Sequence, residues 1–254
     1  VGTSTLTNDA GKSDLRTTDR LACVLSDIQN MGYEVVLVSS GAIAVGRNKL
    51  NMTAKPDSMR MKQAAAAVGQ CSLMYLYDKF FGDYDKTVAQ ILLNADDIEE
   101  EEKKENLINT FNALLEMGVI PIVNENDSVS YKEIESEDRL FGDNDMLSAV
   151  VAVLCRAKHL VIFSDIDGFY DHDPRLYPNA QLIDQIDTID DSVYALAGGA
   201  GSRRGTGGMR TKLQAASLAT SQGTNTIVTN GKRPEVLYDI VKGGRVGTLF
   251  PGKI

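Results

Sequence analysis

The run Gly205-Thr206-Gly207-Gly208-Met209-Arg210-Thr211-Lys212 contains the residue types that grip a phosphate. Three glycines let a backbone curl until several N–H groups point one way. The following stretch, Leu213-Gln214-Ala215-Ala216-Ser217-Leu218-Ala219, reads as a helix whose N-terminus adds partial positive charge. Lys212 is expected in the first turn of that helix, within reach of an anion held there. The run matches neither common phosphate signature: G-x-x-x-x-G-K-[ST] is absent, and Arg210 stands where the third glycine of G-x-G-x-x-G would be. Alone, it is equally an ordinary loop and helix cap. A second candidate anion site is Ser39-Ser40-Gly41-Ala42-Ile43, small residues between the apolar strand Val35–Val38 and a helix. A tight strand-to-helix turn would ask for the same residues.

Two polar clusters follow. Asn124-Glu125-Asn126-Asp127 ends the buried strand expected over Val119–Val123, and open α/β sheets place ligands at the carboxyl ends of such strands. Gly142-Asp143-Asn144-Asp145 precedes an apolar helix expected over Met146–Ala157, which Asp143 or Asn144 could simply cap. The polar stretch Ser128–Phe141 between them reads as a mobile loop with both clusters facing one pocket. A further strand, His159–Ser164, runs into Asp165-Ile166-Asp167-Gly168. That motif is similar to the Asp-x-Asp start of haloacid-dehalogenase-like phosphatases, but Phe169-Tyr170 and its place past mid-chain depart from their pattern. Asp171-His172-Asp173, flanked by prolines, reads as a surface loop before a metal site, and His159 as structural.

These groups need a scaffold, and the pattern supplies one. Leu21, Val24, Leu25 and Ile28 fall on one helix face that stops at Gly32, and Met59–Phe81 is an alanine-rich helix interrupted by Gly69. Val1–Thr7 is expected to be the end of a strand, Asn8–Asp14 a hairpin or loop, and Val88–Leu93 a strand. Glu99–Glu105 should be a solvated helix face with Glu99 and Glu100 paired four residues on to Lys103 and Lys104. Asn225–Gly231, Pro234–Val241 and Val246–Phe250 add strand, helix and strand. The alternation predicts a mostly parallel open sheet with helices on both faces. A net charge of −9 argues against a nucleic-acid surface and requires local positive groups for any anionic substrate. The three cysteines have no metal spacing and suggest reduced thiols in a cytoplasm. No apolar run approaches a membrane span, and no signal pattern opens the chain.

In order along the chain, the motifs Gly2-Thr3-Ser4, Ser39-Ser40-Gly41-Ala42-Ile43, Pro121–Asp127, Gly142–Asp145, Ser164-Asp165-x-x-Gly168 with Asp173-Pro174-Arg175, and Gly205–Lys212 together resemble the amino-acid kinase family. Each is weak alone, and the ordered set is specific. The resemblance implies an α/β/α sandwich forming a single domain over residues 1–254, with an acceptor-binding part over about 1–160 and a nucleotide-binding part over about 161–254. It implies transfer of the ATP γ-phosphoryl group to the side-chain carboxylate of L-glutamate, the first step of proline biosynthesis. Siblings acting on N-acetylglutamate, aspartate, carbamate or UMP share the family-wide motifs, and a phosphatase or a non-catalytic amino-acid sensor are the readings from other classes.

By the same resemblance, Ser40, Gly41, Asn124, Asp127 and Asn144 contact the acceptor. Thr3, Ser164, Asp165, Thr206, Gly207, Gly208, Met209, Arg210, Thr211 and Lys212 contact the nucleotide. Lys212 and Asp145 are the catalytic pair, with Asp145 orienting lysine. Mg²⁺ would arrive on the ATP phosphates, without a protein metal cage. Proline is implied as a feedback inhibitor, a glutamyl-phosphate reductase as a partner, and a homo-oligomer as the assembly, without nucleic acid or membrane. The family carries a phosphate-binding lysine just before the Gly-Thr-Ser turn, so the sequence is expected to start after it, and many relatives add a C-terminal RNA-modification-type (PUA) domain not contained here. The chemistry suits the residues. A carboxylate is already anionic at neutral pH and needs no general base. The barrier lies in bringing two anions together, which calls for lysine, Mg²⁺ and aligned N–H groups.

Overall fold

The computed structural model describes residues 1–7, 12–54, 56–129, 144–197 and 208–253. It divides into two units, Val1–Asn144 and Asp145–Ile254. In the first, α1 (Thr3–Leu6) is a single turn and α2 (Leu15–Asn30) a full helix. Asp14 caps α2, its carboxylate accepting from Thr17 N at 3.0 Å and Thr17 Oγ1 at 2.9 Å. Leu21, Val24, Leu25 and Ile28 are all buried, as their spacing predicts. The first seven residues do not form the expected strand. Thr5 N bonds to Gly2 O and Thr7 N to Thr3 O, so the backbone closes on itself. An isolated antiparallel bridge, Thr7 to Ser13, with Asp14 N bonding to Leu6 O at 2.8 Å, joins the ends of the next segment, of which Asn8–Gly11 lie outside the described residues.

The sheet of this unit is β1 (Leu37–Val38), β2 (Val88–Leu93) and β3 (Ile120–Glu125), all parallel, in the order β1-β3-β2. The first strand is shorter than the Val35–Val38 run: only Leu37 and Val38 pair, with Ile122 and Val123. β3 is central and buried through Asn124, so it reads as a continuous apolar run. Two helices, α3 (Ala42–Lys49) and α4 (Met59–Gly82), pack at glycine contacts. A Cβ on Gly46 would lie 1.8 Å from Ala65 O, and one on Gly69 would lie 1.7 Å from Ala42 O. Gly69 therefore does not interrupt α4; it lets α3 approach its backbone. α5 (Asp96–Glu99) and α6 (Glu101–Glu116) complete the unit. The expected ion pairs shift by one residue, to Glu100–Lys103 at 2.8 Å and Glu101–Lys104 at 3.3 Å. The reason is that α6 starts after Glu100, which leaves Glu99 in α5.

The second unit holds most of α7 (Asn144–Leu154), then β4 (His159–Ser164), α8 (Asp191–Ala197), α9 (Gly208–Ser221), β5 (Asn225–Asn230), α10 (Val236–Val241) and β6 (Thr248–Phe250). β4 and β5 are parallel over six pairs, from His159–Asn225 to Ser164–Asn230, and β6 joins β5 antiparallel at the edge. Its core gathers Ala149, Leu160, Ile162, Phe169, Leu213, Ala216, Val228 and Phe250 from α7, α9, the strands and the loop after β4. The alternation of strands and helices gives an α/β protein, with parallel strands in each of two three-stranded sheets.

Candidate active site

In the first unit Ser40, Gly41, Asn124 and Asp127 lie at or just past the carboxyl ends of β1 and β3. β1 and β3 are neighbours in register, and Ser39 N bonds to Val123 O at 2.8 Å, so Ser39 leaves β1 beside Asn124, which is still in β3. Gly41, at φ +90°, turns the chain from β1 into α3 through a conformation that costs other residues steric strain. Thr3 stands beside this turn, with its Oγ1 3.2 Å from Ser40 Oγ. Ser40 is buried at 4% exposure, and Asn124 at 2%. The Asn124 amide is committed within the protein: Nδ2 donates to Gln70 Oε1 at 2.8 Å and Oδ1 accepts from Glu125 N at 3.0 Å. Asp127 lies in the turn after β3, where Asn126 N bonds to Leu93 O and Ser128 Oγ donates to Asn126 Oδ1. Asn144 opens α7, and its Oδ1 is buried with no hydrogen-bond partner among the described residues. Beyond Val129 the expected mobile loop, with Gly142 and Asp143, lies outside the described residues.

Sequence reasoning missed Gln70 and Tyr77. The Tyr77 hydroxyl lies 2.8 Å from Ser39 Oγ, fully buried, and burial pushes the phenol up to about 12 while the serine contact pulls it slightly down. The available signal was two polar groups on the inner face of an alanine-rich helix.

In the second unit α9 begins at Gly208, so Lys212 opens the second turn and not the first. Helical side chains lean toward the N-terminus, which aims Lys212 back at the start of the helix. Its Nζ meets Asp145 Oδ2 at 2.8 Å, with the two side chains 13% and 12% exposed. Thr211 Oγ1 donates to the same oxygen at 3.0 Å. Arg210 lies over the Tyr194 ring at 5.9 Å, which ties α9 to α8. Gly208 is exposed at the helix start, and Thr206 and Gly207 lie outside the described residues. Ser164 ends β4, buried, its hydroxyl 3.3 Å from Asp165 Oδ1, and Gly231 N bonds to Ser164 O across the strand ends. The arrangement offers a cation and one hydroxyl held by one carboxylate at a helix start, a set suited to phosphate oxygens.

The other sequence candidates have local partners. Asp167 accepts from Asn230 Nδ2 at 2.9 Å. Asp171 accepts from Gln181 N and stands 3.3 Å from His172, and Asp173 accepts from Arg175 N. Backbone hydrogen bonds hold both carboxyls below the usual range. Among the described residues no group of three His, Cys, Asp or Glu could hold a metal ion, and no helix is long and apolar enough to cross a membrane. His159 opens β4, and partial burial next to Lys158 lowers its pKa.

Comparison with known proteins identifies the family. The family model described as "Amino acid kinase family" matches residues 1–230. The chain is 54% identical to the glutamate 5-kinase of Clostridium perfringens over all of its own length and 94% of that protein, and 51% identical to that of Listeria innocua over all of its length and 91% of that protein. Among solved structures, carbamate kinase from Giardia lamblia bound to AMP-PNP superposes with a TM-score of 0.67 at 16% identity, covering 99% of this chain and 96% of that one, which speaks for the fold alone. These relatives are kinases, and the phosphatase and sensor readings fall away. The chain belongs to the amino acid kinase family, among its glutamate 5-kinases.

Proposed function

We propose that the chain transfers the γ-phosphoryl group of ATP to the side-chain carboxylate of L-glutamate, yielding ADP and L-glutamyl 5-phosphate. The observation that carries this reading is the 54% identity to a glutamate 5-kinase across the whole chain. A glutamate carboxylate oxygen forms the new bond to phosphorus as the bond to the ADP oxygen breaks. No proton has to be removed from the nucleophile. Lys212, held by Asp145, meets charge that spreads over the transferring group, and Gly208 and its neighbours offer N–H donors at the start of α9. Ser40, Gly41, Asn124, Asp127 and Asn144 serve the amino acid. Thr3, Ser164, Asp165 and Thr206 through Lys212 serve the nucleotide.

Mg²⁺ would be held mainly by the ATP phosphates, where it would neutralise part of their charge. The donor set fits this, since Asp145 is engaged by Lys212 and Thr211. The acceptor part spans about residues 1–160 and the nucleotide part about 161–254. The acyl phosphate is labile in water, so a reductase that consumes it in proline biosynthesis belongs to the same reading. Feedback by proline, a homo-oligomeric state and a cytoplasmic setting belong to it as well.

The test offers L-glutamate, N-acetylglutamate, aspartate, carbamate and UMP in parallel, following ADP release and trapping acyl phosphate with hydroxylamine. Glutamate should give both signals with the highest kcat/KM. ADP release with a sibling acceptor and none with glutamate would overturn the substrate.

A further inference from the structure

We infer that Gln70 and Tyr77 are positioning residues for the amino-acid acceptor, bracing the ends of two strands from one helix. They lie seven residues apart on α4, two helical turns, and so share a face with buried Leu73 between them. Gln70 Oε1 accepts from Asn124 Nδ2 at 2.8 Å, at the end of β3. The Tyr77 hydroxyl bonds Ser39 Oγ at 2.8 Å, just past the end of β1. Ser39 N in turn bonds Val123 O, so the two braced positions are joined to each other. Neither brace ends on a residue that the proposed chemistry makes part of the catalytic pair, Lys212 and Asp145. The Tyr77 brace ends on Ser39, one step before Ser40, and the Gln70 brace ends on Asn124 itself, near the end of β3 and ahead of the turn that holds Asp127; Ser40, Asn124 and Asp127 are residues that Proposed function assigns to glutamate.

A side chain that only filled the core here would be apolar, because α4 buries Ala65, Ala66, Leu73 and Phe81 on the same side. The two polar groups each satisfy one specific atom at the sheet edge. Their effect should fall on where Ser40 and Asp127 stand, and not on the phosphate-binding helix of the other unit. This inference rests on the acceptor reading above, and the experiment keeps the two separate.

Steady-state kinetics are compared for wild type, Gln70→Leu, Gln70→Glu and Tyr77→Phe, each checked for folding by its thermal melt. Gln70→Leu removes the acceptor at similar volume, and Gln70→Glu keeps an oxygen for Asn124 Nδ2. Gln70→Leu and Tyr77→Phe should each raise the glutamate KM about tenfold, with the ATP KM and kcat changed by no more than about twofold. Gln70→Glu should bring the glutamate KM back toward wild type. Equal changes in both KM values, unchanged kinetics, or a Gln70→Glu variant no better than Gln70→Leu would overturn the proposal. If Gln70→Leu does not fold, Tyr77→Phe and Gln70→Glu still decide it. Wild type inert toward glutamate would count against the proposed activity instead, and the same KM comparison would then be made with the acceptor it does phosphorylate.

Discussion

The ammonium of Lys212 lies 2.8 Å from Asp145 Oδ2, and the Thr211 hydroxyl donates to that same oxygen at 3.0 Å. One carboxylate oxygen thereby fixes the start of α9 against α7 and holds the lysine in one place before any phosphate arrives. Lys212→Ala should lower kcat by about a hundredfold to a thousandfold, roughly 3–4 kcal/mol, with the glutamate KM little changed. Lys212→Arg should keep part of the rate, since it retains charge and alters reach. Steady-state kinetics check both. A Lys212→Ala protein that is folded and turns over like wild type would reduce the glycine-rich run to a loop and cap.

Asp145 should matter for stability as well as rate. Both side chains of the pair are largely buried, so Asp145→Ala leaves an ammonium without its counter-charge. Such a change costs about 3 kcal/mol. Asp145→Asn keeps an acceptor for Thr211 and should cost less. Urea unfolding would measure the difference, and kcat should fall in both variants because Lys212 loses its orientation.

Asn144 should show the opposite combination. Its Oδ1 is buried without a partner among the described residues, a cost that a bound ligand would offset. Asn144→Ala should leave the melting temperature unchanged or raise it, while the glutamate KM rises. A fall in stability with unaltered KM would assign Asn144 to the helix start alone.

Thr226 is a second such case with no ligand in view. It lies in β5, paired with Leu160 and Phe250, fully buried, and its Oγ1 has no partner among the described residues. A buried hydroxyl without a hydrogen bond costs about 1–3 kcal/mol, so Thr226→Val should stabilise the protein by about 1 kcal/mol or more. Chemical denaturation would show it, and kinetics should not move.

Tyr77 sets an alkaline limit. Its phenol ionises at about 12 in the fold, against an ordinary value near 10. Because the folded value is the higher one, the stabilisation is complete below about pH 10 and is lost as pH rises toward about 12, by roughly 1.4 kcal/mol per unit. Tyr77→Phe should be less stable than wild type near neutrality, through loss of the Ser39 contact, and the gap should close above about pH 10. Melting temperatures across that range test the sign.

Much of the scaffold is legible in the sequence because apolar period and apolar run length carry it. β2, the face of α2 and the end of α6 before Gly118 fall where the pattern puts them. The misses share a physical cause: they depend on hydrogen bonds that the pattern does not encode. Thr3–Leu6 closes a helical turn through its own carbonyls, β1 is cut to the residues that find partners on β3, and Glu100 becomes a cap, which moves the ion pairs by one step. At the candidate site, residue type and order brought out Ser40, Asn124, Asn144, Asp145 and Lys212. The Lys212–Asp145 contact spans sixty-seven positions, and only the family resemblance pointed to it. Gln70 and Tyr77 escaped because an amide and a phenol in an alanine-rich helix look like surface and core until the strand ends they touch are known.

The mutual notch of Gly46 and Gly69 narrows what this chain can become. Replacing a helical glycine by alanine ordinarily adds about 0.5–1 kcal/mol, which makes it a routine step toward heat tolerance. Here either replacement would drive a methyl carbon into a backbone carbonyl, 1.8 Å from Ala65 O or 1.7 Å from Ala42 O. α3 would have to move away, and its first residue follows directly on Ser40-Gly41. The two positions are therefore locked together: a drifting or engineered lineage can gain rigidity almost anywhere else on α4, but at this crossing it would trade the shape of the turn for it.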